Sequence, residues 1–193
     1  MSLKVYTGGM YSSKSSTLLA EITKYTDISE KRCSLIINHS LDTRDHTRIV
    51  SSHNSMYKGV SERVDITSTL LLRDIDVSNY TIVGIDEAQM FDDLPETVEY
   101  WLSLGKHIIV AGLDSDFKMR PFGKIRDILH LSDTFVKLNA VCSVCIKENG
   151  DITPLNIIPA PFTKRITDSE DLIDIGGRGK YIPVCRKHHL IQK

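Results

Sequence analysis

No apolar run in this 193-residue chain is long enough to cross a bilayer: stretches such as Ile108 to Ala111 fall far short of the roughly 20 residues a span requires. An excess of either charge is also missing. With 24 Lys and Arg against 25 Asp and Glu, the chain has no positive field to gather polyphosphate backbones, so nucleic acid is disfavoured as its main partner. Met1-Ser2-Leu3-Lys4-Val5 runs straight into a strand-like pattern with no charged leader and apolar signal segment. A cytoplasmic protein is the expectation, with no membrane partner. Its four cysteines are then better read as metal ligands than as two disulfides, which need a secreted chain. What remains, 41% hydrophobic and 25% charged, is ordinary globular composition, enough for one full domain and a small appendage.

The chain opens as strand, glycine turn, helix. Residues 3–7 are β-branched or apolar at alternate positions, Gly8-Gly9 follow, and Leu18, Leu19, Ile22 and Tyr25 recur at helical spacing. Residues 34–38 read as a second buried strand with Cys33 in it as a small hydrophobe, and polar residues 41–59 as a long loop. Residues 69–75 suggest a short helix and 80–85 a strand. A punctuated helix comes next, with Asp93 as N-cap, Pro95 in the first turn and Gly105 as the stop. A strand at 107–111, a helix at 124–130 and a strand at 135–138 complete an alternation that indicates a parallel sheet with helices on both faces. After Ala140, prolines, glycines and three cysteines gather without helical periodicity. Division is expected into an α/β unit, 1–140, and a metal-stapled unit, 141–193, too poor in large apolar side chains to fold on a core alone.

Gly8-Gly9-Met10-Tyr11-Ser12-Ser13-Lys14-Ser15 sits between strand and helix, where a phosphate-binding loop belongs. Backbone N–H groups and the helix N-terminus would cradle phosphates, Lys14 would meet the terminal ones, and the Ser15 hydroxyl could ligate Mg²⁺. Ser13 stands where the pattern has glycine, often at positive φ, which costs a serine about 1 kcal/mol or more. A serine-rich N-cap of an ordinary helix is the plainer alternative. At 82–87 a buried strand ends in Asp86-Glu87, the position where open α/β sheets place ligands. Asp86 would hold Mg²⁺ opposite Ser15. Glu87, pointing away from Asp86 if the strand persists, would be free for proton removal. Cys142-x-x-Cys145 and Cys185-x-x-His188 are two hooks 39 residues apart, a tetrahedral Zn²⁺ signature with no open position and hence structural; His189 is an adjacent substitute.

These blocks, with Asp42-Thr43-Arg44, Gly84 to Phe91, Leu113-Asp114, Phe117 and Arg120-Pro121-Phe122-Gly123, resemble the thymidine kinases of the small zinc-containing type over nearly the whole chain. The resemblance implies a P-loop, RecA-like α/β fold and transfer of the ATP γ-phosphate to the 5′-hydroxyl of thymidine or deoxyuridine. It makes Glu87 the general base, Gly8 to Ser15 the phosphate loop, and Arg44, Asp42 and Gln89 parts of the nucleotide site. Met10, Leu113, Phe117 and Phe122 become the walls of the pyrimidine pocket, though a lone aromatic is as readily explained by core packing. Leu172, Ile173, Asp174, Ile175 and Gly176, with Tyr181 beside them, become a base-covering loop that reads the imide and carbonyl pattern of thymine through the main chain. A homotetramer and feedback inhibition by thymidine triphosphate are also implied. The chain departs from the family at Ser13, at Gly9 where proline is common, at His188 where cysteine is usual, and in a longer 146–172 segment. Two rival readings are a binding-only relative disabled at Ser13 and a zinc-ribbon ATPase acting on nucleic acid.

Overall fold

A computed structural model describes residues 1–26, 28, 33–41, 64–150, 152–155, 157–168 and 179–190. Its frame is a six-stranded, wholly parallel sheet in the order β3-β2-β4-β5-β1-β6. The strands are β1 (Ser2–Gly8), β2 (Ser34–His39), β3 (Val64–Thr69), β4 (Ile82–Ile85), β5 (His107–Gly112) and β6 (Thr134–Leu138). The expected α/β class is the one found.

Both faces of the sheet are covered because alternate side chains of each strand leave it in opposite directions. On one face, Leu18, Leu19 and Ile22 of α1 (Lys14–Thr26) pack on Tyr6, Ile36, Ile82 and Ile109. On the other, Leu94, Val98 and Trp101 of α2 (Leu94–Ser103) meet Val5, Leu35, Ile37, Val83 and Val110.

The structure corrects several local expectations. The short helix expected at 69–75 is reduced to a single 3-10 turn at Leu72–Asp74, because Thr69 ends the unforeseen strand β3. Asp93 does occupy the N-cap of α2, yet it does not cap that helix. Its buried carboxylate accepts hydrogen bonds from the backbone N–H of Leu72 (3.1 Å) and Arg73 (2.9 Å), tying the 3-10 turn to α2. The expected helix at 124–130 is 3-10 in character, Ile125–Leu131. Cys33 lies just outside β2 and is half-buried rather than in the core.

Beyond Leu138 the chain builds short pieces: β7 (Ala140–Val141) with β8 (Pro159–Ala160), β9 (Phe162–Arg165) with β10 (Tyr181–Val184), and the helices α3 (Ser143–Glu148) and α4 (Arg186–Leu190). Their small apolar cluster includes Cys142, Cys145, Phe162, Val184 and Cys185, with Tyr11 of the glycine loop packed against it. No helix among the described residues is long and apolar enough to cross a membrane.

Candidate active site and metal cluster

The glycine loop links the C-terminal end of β1 to the first turn of α1. Tyr11 and Ser13 both take left-handed backbone angles, φ 66° and 63°. Ser13 therefore adopts the conformation that makes glycine the usual residue at its position, and carries the strain expected from the sequence. Lys14 is buried and its ammonium donates to the Gly9 carbonyl at 2.8 Å, so it folds back over the loop rather than reaching into solvent. From the far side, the Thr163 hydroxyl of β9 accepts a hydrogen bond from the Met10 N–H at 2.8 Å. That tie spans 153 residues of sequence, and no local pattern could have disclosed it.

At the tip of β4, Asp86 is 1% exposed. The Ser15 hydroxyl donates to its Oδ1 at 3.0 Å, as does the Glu87 N–H, while Oδ2 is buried with no hydrogen-bond partner among the described residues. Burial, reinforced by the Glu87 charge, pushes the Asp86 carboxyl up to about 7 against the opposing pull of Ser15, the Glu87 amide and Lys14. A carboxylate oxygen orphaned beside a serine hydroxyl suits a hard, oxygen-seeking divalent cation. Ser15 and Asp86 are thus brought together.

Strand alternation does not set the direction of Glu87: the strand ends at Ile85, and Glu87 is itself left-handed (φ 49°, ψ 40°). Its Oε2 accepts from Gln89 Nε2 at 2.6 Å, and Gln89 Oε1 accepts from the Leu113 N–H at 2.8 Å. Gln89 is thus placed beside Glu87 and Leu113.

Phe117 and Tyr181 also meet, through a residue that the sequence did not single out. The Arg165 guanidinium lies 3.9 Å from the Phe117 ring centroid and 5.0 Å from that of Tyr181, and bonds the Tyr181 hydroxyl. Met10, Leu113, Phe117 and Phe122 are all half-buried, between core and solvent. Asp42, Arg44, Leu172, Ile173, Asp174, Ile175 and Gly176 lie outside the described residues.

The two Cys/His hooks converge. Sγ of Cys142, Cys145 and Cys185 each lies 3.4 Å from Nδ1 of His188, and the sulfurs of Cys145 and Cys185 are 4.0 Å apart. Tetrahedral Zn–S and Zn–N bonds imply ligand separations of roughly 3.5–3.8 Å, so these four donors fit a zinc ion, with every position filled by protein. Burial works against an anion at Cys142, but the Cys145 and Cys185 amides and His188 outweigh it and bring that thiol down to about 6, whereas burial beside Cys142 pushes Cys145 up to about 12. Three crowded thiols cannot all ionise unless a cation neutralises them. His188, not His189, completes the cluster, with Glu148 Oε2 at 3.3 Å from its Nε2. The His189 ring instead bonds the Phe117 carbonyl at 2.9 Å, joining the Cys/His cluster to the segment that carries Phe117.

Comparison with known proteins agrees with this arrangement. The thymidine kinase family model matches residues 1–189. The chain is 37% identical over 190 residues to the thymidine kinase of Choristoneura fumiferana entomopoxvirus, covering 96% of this chain and 95% of the relative. To the thymidine kinase of Fowlpox virus it is 36% identical over 191 residues, with the same coverage. To the cytosolic thymidine kinase of Bos taurus it is 33% identical over 186 residues, 95% of this chain and 70% of the relative. A strand-to-helix phosphate loop, a strand-end Asp-Glu pair and a four-ligand knuckle thus occur together in a sequence that matches one family almost end to end, and the chain belongs to the thymidine kinase family.

Proposed function

We propose that the protein transfers the γ-phosphoryl group of ATP to the 5′-hydroxyl of thymidine, or of deoxyuridine, giving the 5′-monophosphate for nucleotide salvage. The observation that carries this reading is the 3.0 Å bond from Ser15 to Asp86, which fastens the phosphate loop to the strand tip whose next residue is Glu87. Glu87 accepts the proton of the 5′-hydroxyl as its oxygen attacks the γ-phosphorus; the bond to the β–γ bridging oxygen breaks and ADP leaves, and protonated Glu87 then releases its proton to solvent. Lys14 leaves the Gly9 carbonyl for the nucleotide phosphates, and the loop amides hold those phosphates in line. Ser15 and Asp86 would hold Mg²⁺, which supplies compensating charge to the phosphates when bound.

Met10, Leu113, Phe117 and Phe122 wall the thymine, with Tyr181 and the 172–176 loop closing over it, and Asp42 and Arg44 complete the nucleotide side, with Gln89 beside Glu87. Zinc on Cys142, Cys145, Cys185 and His188 is structural: it fastens the two ends of the segment that carries the base-covering loop, within a unit spanning 141–193 that packs on the 1–140 core. By family likeness we also assign a cytoplasmic location, a homotetramer and feedback inhibition by thymidine triphosphate. A transfer assay with labelled ATP over the four deoxynucleosides tests the reading. Phosphorylation of thymidine well above the other three is expected; binding of ATP and thymidine without transfer would replace it with the binding-only reading that strained Ser13 keeps open.

A further inference from the structure

We propose that Gln89 is a positioning residue for phosphoryl transfer, aiming the Glu87 carboxylate at the nucleoside hydroxyl and locking it in register with the wall of the base pocket. The proposal rests on Glu87 as the proton acceptor. A glutamate carboxylate rides on three rotatable bonds, and a left-handed backbone at Glu87 fixes where that arm starts but not where it ends. Gln89 fixes the end: Nε2 donates to Oε2 of Glu87 at 2.6 Å.

The amide's other half is equally committed, because Oε1 accepts from the Leu113 N–H at 2.8 Å. Only one orientation of this amide works. Flipped, it would set NH₂ against an N–H and a carbonyl oxygen against a carboxylate, both repulsive. Glutamate in its place could still accept from Leu113 but not donate to Glu87, and methionine could fill the volume but do neither.

The fold packs closely around this residue. Gln89 is 6% exposed. A Cβ on Gly123, whose φ is +61°, would sit 2.2 Å from the Gln89 carbonyl oxygen, and a Cβ on Gly112 would sit 2.6 Å from its Oε1. A side chain on Gly123 would strike the Gln89 main chain, and one on Gly112 would strike both Ile125 Cδ1, at 2.5 Å, and the Gln89 amide. A residue clamped at its main chain by one loop and at its amide by another has no freedom to swing toward nucleotide, so it acts through Glu87 and Leu113.

The test is a mutant cycle on the full-length protein, with kcat and thymidine KM measured for Q89E, Q89M, E87Q and E87Q/Q89M. Misaiming a reacting group by about 1 Å costs on the order of 100-fold, so Q89E and Q89M are expected to lose roughly 10- to 100-fold in kcat with KM within about threefold. In the E87Q background the Q89M change should cost less than about twofold, because the group it aims is gone. Q89E keeps the bond to Leu113 and carries the test alone if Q89M folds poorly. Unchanged kcat in Q89E beside an inactive E87Q overturns the role of Gln89 and leaves Glu87 standing, as do losses that multiply in the double variant. Full turnover by E87Q overturns the base assignment itself, and this proposal with it.

Discussion

Ser13 and Asp86 each hold a conformation or charge state that the isolated residue would avoid. Ser13 sits at φ 63°. Ser13→Gly removes a left-handed penalty of about 1 kcal/mol but adds freedom to the unfolded chain worth about 0.4–1 kcal/mol, so the melting temperature should hardly move. Turnover should rise, because the loop amides reach their phosphate-cradling geometry without strain; steady-state kcat at saturating ATP and thymidine checks this, and an unchanged rate counts against it. For Asp86, burial first and the Glu87 charge second raise the carboxyl to about 7, against 3.8 for the free side chain. Between those values the folded protein holds a proton that the unfolded chain has released. The stability this group contributes is therefore complete below about pH 3.8 and is lost as pH rises through about 7. Asp86→Asn cannot lose it. In thermal melts without nucleotide, Asp86→Asn should gain on the parent as pH climbs from 4 to 8, while losing phosphoryl transfer; a gap that stays constant or narrows contradicts the assignment.

At the scale of elements, the glycine loop, the acidic tip of β4 and each Cys/His hook were legible because each is written within eight consecutive residues or fewer. Elements whose identity depends on a distant partner were not. The strand β3 alternates over only four residues, Val64-Asp65-Ile66-Thr67, and is paired along β2. Asp93 carries the local signature of a helix cap, yet its carboxylate is taken by backbone N–H groups some 20 residues earlier. Thr163 and Arg165 went unnoticed for the same reason: β9 matters because it lies against the phosphate loop and the aromatic wall, not because of its own pattern. Thr163 is buried, so Thr163→Val should leave the Met10 N–H unpaired at a cost of about 1–3 kcal/mol. A melting temperature lowered by several degrees together with weaker ATP binding is expected; weaker stability with unaltered ATP affinity would show that β9 does not support the loop.

For the molecule as a whole, two sets of residues far apart in sequence have to work as one body. The sheet carries the glycine loop, Asp86 and Glu87, and the Cys/His cluster is tied to Phe117 through His189. His188→Ala should lose the zinc, as measured by metal analysis, and lower the melting temperature. His188→Cys should keep one zinc per chain, and His189→Ala should keep it as well while loosening thymidine binding. Zinc retained by His188→Ala would show that His188 is not a ligand.

The most direct measurement is a single-turnover experiment with labelled ATP and thymidine, comparing the parent with Glu87→Gln under conditions where both bind the two substrates. Formation of thymidine 5′-monophosphate by the parent, slowed at least about 100-fold in the variant at unchanged substrate affinity, is what this account requires. Equal rates in the two proteins would contradict it.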